Sequence, residues 1–223
     1  MNKYEIIRKI QKFAPLETQE KWDCSGWSVE TGKEDVHKIL FALTVTEDVI
    51  QQAREKDCDM IISHHPLFCV PLRWKDIDIY CAHTNLDKAE GGTTDRLIKE
   101  LGLTKTESYE FVRVVRFPEP VAVEEFWKKL LKISPNMRYI NNYNVTTIQS
   151  VGFCAGSGSE FINETDADAF VTGDLKFHTA LECKKVVFDI GHFESEIFAP
   201  KILKEISGVR EKGVIADEKS PFI

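Results

Sequence analysis

Long apolar segments are absent from this sequence of 223 residues. A transmembrane helix needs about 20 consecutive, mostly apolar residues, and no stretch reaches that length. The first residues, MNKYEIIRKIQKF, mix charged and apolar side chains at helical spacing and lack the continuous apolar core of a secretory signal. We therefore expect a protein that neither enters a membrane nor carries an export signal.

Paired cysteines are also absent. The six cysteines form no CxxC pair and no short disulfide framework; they are Cys24, Cys58, Cys69, Cys81, Cys154 and Cys183. Several lie in apolar, strand-like contexts such as IDIYCAH, where cysteine behaves as a small hydrophobic residue. This usage is typical of a reducing compartment, so we predict a cytoplasmic protein.

Positive charge is scarce, and no run of basic residues occurs. The chain has 29 Lys and Arg against 36 Asp and Glu, a net charge of -7, which disfavours nucleic acid as a partner. Nucleotide-binding loops of the Walker A or strand-linked GxGxxG type are missing too. The GSGS run at 156–159 is too short to count as one, and we expect a polar turn there.

Buried strands alternating with helices are what the sequence does contain. The segments HKILFALTVT, DMIIS and DIDIYCAH read as such strands, which predicts a mostly parallel sheet covered by helices. The region 106–187 differs in texture, with a half-buried strand VRVVRF and an amphipathic helix VEEFWKKLLKI. We predict an α/β fold of two lobes, in which 106–187 is inserted into a lobe formed by 1–105 and 188–223. The strand VVFDIG and the helix after it would return to the first lobe.

Three motifs place metal-binding side chains where predicted strands end, and ligands collect beyond such ends in open α/β sheets. In HHP, the proline ends the strand and lets both imidazoles turn to one crevice. In GHFESE, the histidine and the last glutamate lie at i and i+4 on one helix face. Together with AHTNLD, these motifs contribute His64, His65, His83, Asp87, His192 and Glu196.

This donor set suits zinc, manganese or iron. A catalytic zinc usually takes three protein ligands, so five or six converging ligands predict two divalent ions, roughly 3.5–4 Å apart. Asp87 is the expected bridge because a carboxylate has two oxygens. Strand-end histidines are often merely structural, and we expect His37 and His178 to be structural or exposed. Pairs of His and Glu at i and i+4 are also common on solvated helices. However, four of the six histidines fall in these three motifs.

The motifs together resemble one family. WDCSGW, ISHHPLF, AHTNLDKAEGG, VTGDLKFHTALE, DIGHFESE and SPF are similar to the Nif-three-like proteins, also known as GTP cyclohydrolase I type 2 homologues or dinuclear metal-centre hexameric proteins. The resemblance covers nearly the whole chain. It implies two α/β lobes with two metals in the cleft between them, and a toroidal homohexamer. It also implies five metal ligands: His64, His65, Asp87, His192 and Glu196.

Two departures from the family pattern concern the surroundings of this site. WDCSGW stands where WDNVGL is expected, and Thr44 occupies a position that is often acidic. We expect neither to touch the metal ligands, although both could line the cleft and alter the substrate. His83 is expected to assist as an auxiliary residue, because a ligating group usually needs a neighbour to orient it.

Two functions follow from such a centre. The first is hydrolysis, for which the resemblance implies opening of the guanine imidazole ring of GTP with release of formate. Candidate catalytic residues are His83, Asp174 and His178, although Asp174 and His178 could instead cap and solvate a helix. The second is non-catalytic: metal storage, delivery or sensing, or an oligomeric scaffold. Five ligands on two ions leave open positions, which favours catalysis. A ring that threads DNA is disfavoured by the negative charge.

Overall fold

The computed structural model describes residues 1–222, which form two compact units. One unit combines Met1–Gly92 with Phe198–Lys219, and the other combines Thr93–Ile197 with the C-terminal residues from Ser220. Each unit is a mixed α/β structure with one sheet. None of the helices within the described range has both the length and the apolar character that crossing a bilayer requires.

Residues 1–222 contain eleven strands and eight α-helices. The strands are β1 (Gly26–Val29), β2 (Ile39–Ala42), β3 (Met60–Ser63), β4 (Asp78–Cys81), β5 (Glu107–Ser108), β6 (Arg113–Ala122), β7 (Arg138–Ile140), β8 (Thr147–Ser157), β9 (Ala169–Gly173), β10 (Val186–Asp189) and β11 (Gly213–Ile215). The helices are α1 (Lys3–Phe13), α2 (Glu47–Glu55), α3 (Thr84–Lys88), α4 (Thr93–Glu100), α5 (Val123–Leu130), α6 (Phe177–Glu182), α7 (His192–Glu196) and α8 (Ala199–Ser207). Short 3₁₀ turns occur at Leu16–Thr18, Leu72–Trp74 and Ser159–Phe161.

The first unit is built on a mostly parallel sheet, as predicted. Its strand order is β1-β4-β3-β2-β11, and only β1 pairs antiparallel. Every residue of β2, β3 and β4 is buried, as expected for parallel strands covered on both faces. Helix α1 packs on α8, and the hydroxyl of Thr46 caps α2 by accepting a hydrogen bond from the N–H of Val49.

An ion pair is buried inside this first unit. Lys3, on the first turn of α1, is fully buried, and its Nζ lies 2.9 Å from Asp78 Oδ1 at the start of β4. The same Nζ donates to the carbonyl of Thr31 and lies 5.0 Å from the ring centroid of Trp27. The ammonium therefore exchanges its water shell for a carboxylate, a carbonyl and an aromatic face.

The second unit has a mixed sheet in the order β5-β6-β8-β9-β10-β7. Its parallel centre is β8-β9-β10, and antiparallel strands flank that centre on both sides. Helices α4 and α7 pack against β8, while α5 packs against β6. Three buried aromatic rings in edge-on contact anchor its core: Phe126, Phe153 and Phe188.

The unit boundaries differ from the predicted ones, since they fall after 92 and 197 rather than after 105 and 187. Strand β10 does not return to the first sheet; it pairs in parallel with β9 and antiparallel with β7. Twelve residues separate β9 from β10, and that length suffices for a parallel crossover within one sheet. The single helix predicted from His192 is in fact two, α7 and α8. Pro200 lies in the first turn of α8, where proline starts a helix rather than continues one.

Candidate metal centre

Three histidines gather where two neighbouring strands of the first unit end. His64 and His65 follow β3, and His83 follows β4 after one residue. Since β3 and β4 run in parallel, their carboxyl ends meet at one edge of the sheet. The ring centroids of His64 and His65 lie 5.0 Å apart, and that of His83 lies 5.2 and 5.7 Å from them. The prediction that both imidazoles of HHP turn to one side is confirmed.

The orientation of His64 is fixed by the backbone. Its Nδ1 lies 2.9 Å from the carbonyl oxygen of Ala82, which can only accept, so Nδ1 carries the proton. The ring is fully buried, and its Nε2 faces Asp87 Oδ1 at 3.4 Å. A neutral imidazole held in this way presents the lone pair of Nε2, the form in which histidine binds metals.

His65 is held by the residue that departs from the family pattern. Its Nδ1 lies 2.6 Å from the hydroxyl oxygen of Thr44. Contrary to expectation, Thr44 thus touches one of the predicted metal ligands, because the end of β2 lies beside the residues that follow β3. One nitrogen each from His64, His65 and His83 fall within 4.8 Å of one another, so these three rings could hold a metal ion.

His83 is oriented by a carboxylate in the WDCSGW motif. Asp23 Oδ1 accepts a hydrogen bond from His83 Nδ1 at 3.0 Å, and Asp23 Oδ2 accepts two from Thr84. Burial alone would raise the pKa of Asp23, but the bonds from His83 and Thr84 outweigh it and hold that pKa well below its usual range. Ser25, part of the other departure, accepts the backbone N–H of His83. The sequence analysis did not identify Asp23 as a functional residue, and its place in the Trp-Asp pair of WDCSGW is the signal that could have indicated it.

The second unit contributes a histidine held by two carboxylates. His192 Nδ1 lies 2.7 Å from Asp174 Oδ2, and His192 Nε2 lies 2.9 Å from Glu196 Oε2. The predicted i, i+4 pair on one helix face is thus confirmed. The hydrogen bond to Glu196 and, less strongly, that to Asp174 raise the pKa of His192 to about 10, against the effect of burial. A proton and a metal ion compete for the single lone pair of His192 Nε2. The negative charge of Glu196 stabilises whichever of the two is bound.

Of the remaining catalytic candidates, the structure connects Asp174 to the site but not His178. Helix α6 begins at Phe177, so Asp174 precedes it rather than sharing its face, and a positive φ of 52° turns the chain there. The carboxylate reaches His192 instead of capping the helix. His178 is exposed on α6, where its ring lies edge-on to the ring of Phe177. His37 is exposed as well, as expected.

Gly156, which the sequence analysis assigned to a polar turn, makes room for the carboxylate of Glu196. Gly156 lies in β8 rather than in the predicted polar turn, and a Cβ added there would come within 2.1 Å of Glu196 Oε1. Its N–H donates to Ser195 Oγ at 2.9 Å, and that hydroxyl donates to the carbonyl of His192. The missing side chain of Gly156 thus lets the Glu196 carboxylate lie directly against the strand.

The donors of both units match the chemistry of transition-metal sites. In the first unit they are imidazole nitrogens beside the carboxylate of Asp87, and in the second an imidazole beside the carboxylate of Glu196. Zinc, manganese and iron accept such mixed nitrogen and oxygen ligands. Each imidazole also has an outer partner that orients it, as ligating histidines almost always do. The residues present therefore fit a metal centre.

Known proteins resemble this chain over most of its length. The GTP cyclohydrolase 1 type 2 homolog of Clostridium perfringens is 32% identical over 93% of this chain and 91% of its own. NIF3-like protein 1 of Drosophila melanogaster is 32% identical over 79% of this chain and 70% of its own.

Solved structures share the fold. Reduced HcgD from Methanocaldococcus jannaschii superposes with a TM-score of 0.81 at 28% identity, covering 96% of each chain. TTHA1606 from Thermus thermophilus superposes with a TM-score of 0.84 at 24% identity over 100% of both chains. The family model Duf34/NIF3 (NGG1p interacting factor 3) matches residues 1–214. The chain therefore belongs to the Duf34/NIF3 family.

Proposed function

We propose that the chain binds two divalent metal ions through His64, His65, Asp87, His192 and Glu196 and is a metal-dependent hydrolase. In this proposal the second unit is inserted into the first, and the cleft between them holds the metals. Within the first unit, the support is that His64 presents Nε2 to Asp87 while a carbonyl holds its Nδ1. This single observation carries the proposal, because a cation would stabilise the lone pair of Nε2 and the carboxylate that faces it.

The protein side chains have distinct roles in this mechanism. When bound, the two cations would make a water molecule more acidic and polarise the bond to be cut. Asp87 would help to hold them through its carboxylate. His83, with its Nδ1 proton held by Asp23, keeps Nε2 available to take up or return a proton during turnover. Asp174 plays the corresponding orienting role for His192.

The proposed reaction is the opening of a purine imidazole ring. The relatives from Clostridium perfringens and Campylobacter jejuni carry the name GTP cyclohydrolase 1 type 2 homolog, which points to GTP as the substrate to test first. One water molecule adds to the carbon between the two ring nitrogens and opens the ring to a formamide. A second water molecule hydrolyses the formamide, releasing formate and leaving the amine.

Formate release tests this function directly. Tag-free protein loaded with Zn²⁺, Mn²⁺ or Fe²⁺ is expected to release one formate per GTP consumed. His64→Ala should lower the rate by about 1000-fold, since metals supply several kcal/mol of transition-state stabilisation and each 1.36 kcal/mol is tenfold. His37→Ala is the matched control, because His37 is exposed, and it should keep the wild-type rate.

Other outcomes of this assay separate the alternatives. Protein that holds two equivalents of metal but releases no formate would support the non-catalytic function of metal storage, delivery, sensing or scaffolding. Full activity in His64→Ala would contradict the proposed use of the metals.

The assembly proposed from the family resemblance is a toroidal homohexamer in the cytoplasm. Helix α6 has no buried residue and exposes Phe177 and Leu181, one turn apart, at 73% and 65%. Exposed apolar side chains of this kind favour burial against another subunit. Light scattering of the tag-free protein measures the mass, and a monomer at micromolar concentration would contradict the hexamer.

A further inference from the structure

A pocket of about 340 Å³ in the second unit lies beside His192. Its walls come from the residues around the starts of β7 and α7, from the ends of β9 and β10, and from Phe222 near the end of the chain. Ligand pockets for small molecules begin at about 300 Å³, so this one accepts a single heterocycle of nucleoside size. His192 and Asp174 belong to the proposed metal chemistry, whereas the other residues of the wall have no role in it. The pocket therefore has room for a ligand beside the proposed metal ligand.

Most charged groups in the pocket are already engaged within the protein. Asp189 is 3% exposed and pairs with Arg138, while Asp174 is bonded to His192. Because Asp189 neutralises it, Arg138 is a poor anchor for a phosphate, and the surrounding carboxylates repel anions. The occupant therefore carries hydrogen-bond donors rather than negative charge at this point.

Glu194 is the carboxylate that remains for a ligand. It is half-buried, and among residues 1–222 it makes no hydrogen bond or ion pair. Gly191, with φ +86°, leaves room for the carboxylate of Glu194, because a Cβ on residue 191 would lie 2.3 Å from Glu194 Oε2. Its carboxylate lines the pocket without a protein donor, so a ligand with N–H groups could replace the water around it.

The rest of the lining suits a flat ring. Phe222 is 78% exposed overall yet lines the pocket, and Met137 and Ile190 add apolar surface. Aromatic side chains bind heterocycles by stacking, whereas a carboxylate accepts two parallel N–H bonds from one ring edge. A planar heterocycle with two adjacent N–H donors satisfies both requirements.

We propose that this pocket binds the heterocyclic base of the substrate, with Glu194 accepting two N–H bonds from the ring edge and Phe222 stacking on its face. The base class is a 2-amino-6-oxopurine, whose ring N–H and amino group are adjacent donors. The inference rests on the proposed hydrolase function only for the fate of the bound base. Binding itself is independent of turnover.

The test compares nucleosides that differ at one group, measured by saturation-transfer NMR and calorimetry on the full, metal-loaded chain. Guanosine should bind wild type at least tenfold more tightly than inosine, which lacks the amino group, or adenosine, which lacks both donors. Glu194→Gln should weaken guanosine binding by about 10- to 100-fold, and Phe222→Ala by about 5- to 50-fold. Glu160→Gln, an exposed glutamate of the same unit, is the control and should bind as wild type.

Metal content and thermal unfolding of each variant separate a lost pocket contact from a lost fold. Both are expected to match wild type in Glu194→Gln. Equal affinity for all three nucleosides, no guanosine binding to wild type, or unchanged binding in Glu194→Gln would each overturn the proposal. Selective guanosine binding without formate release would support the proposed base pocket and contradict the hydrolase function.

Discussion

Replacing Lys3 with alanine is expected to lower the free energy of unfolding by about 3–5 kcal/mol. The substitution removes the ammonium 2.9 Å from Asp78 and leaves that carboxylate in a site where it is 1% exposed. Thr31 continues to donate two hydrogen bonds to Asp78, but they carry no full positive charge. Urea denaturation followed by circular dichroism measures the loss.

A matched substitution on the same helix controls for helix propensity. Lys12 is exposed in the last turn of α1, so Lys12→Ala should change stability by no more than about 0.5 kcal/mol. Adding Asp78→Ala to Lys3→Ala should cost less than Asp78→Ala alone, because the pair is already broken. Wild-type stability in Lys3→Ala would show that the buried pair contributes little.

Replacing Gly156 with alanine is expected to lower metal affinity by about 100-fold, the upper range for residues that orient a ligand. The new Cβ would overlap Glu196 Oε1 at 2.1 Å, so the carboxylate must move. Competition with a chromophoric chelator measures the affinity. The expected result assumes that Glu196 is a ligand, as proposed.

Backbone strain in that variant needs its own control, since Gly156 has φ +69°. Gly102 has a nearly identical φ of +67° and no heavy atom within 4 Å of an added Cβ. Gly102→Ala should therefore show the strain of alanine in the left-handed region without any loss of metal. Equal metal affinity in wild type and Gly156→Ala would remove Glu196 from the centre.

The strand-end histidines were predictable because their cause is local. An apolar run ending in HHP or AHTNLD marks both the strand and its end, and parallel neighbours bring such ends together. Likewise, the pair His192 and Glu196 follows from helical spacing alone. These features depend on residues close in sequence.

Features that depend on distant residues were not predictable. The partner of Lys3 lies 75 residues away, and nothing in MNKYEII distinguishes it from a solvated lysine. The hydrogen bond from His83 to Asp23 spans 60 residues. Gly156 looks like part of a turn until the carboxylate of Glu196 is placed against it, 40 positions later in the chain.

The placement of β10 shows the same limit for topology. Its sequence, VVFD, fits the centre of either sheet equally well. Its neighbours decide its position: β9 aligns Ala169–Thr172 beside it in parallel, and β7 supplies the other edge. All four residues of β10 are buried, and the centre of either sheet could bury them. The position of β10 therefore depends on pairing partners that its own sequence does not specify.

The most direct test of the central claim is an anomalous-scattering map from crystals of the tag-free protein grown with Mn²⁺ or Zn²⁺. The account predicts two peaks per chain, roughly 3.5–4 Å apart, with His64, His65, Asp87, His192 and Glu196 as their protein ligands. A single peak, peaks elsewhere in the chain, or these five side chains coordinating nothing would contradict it.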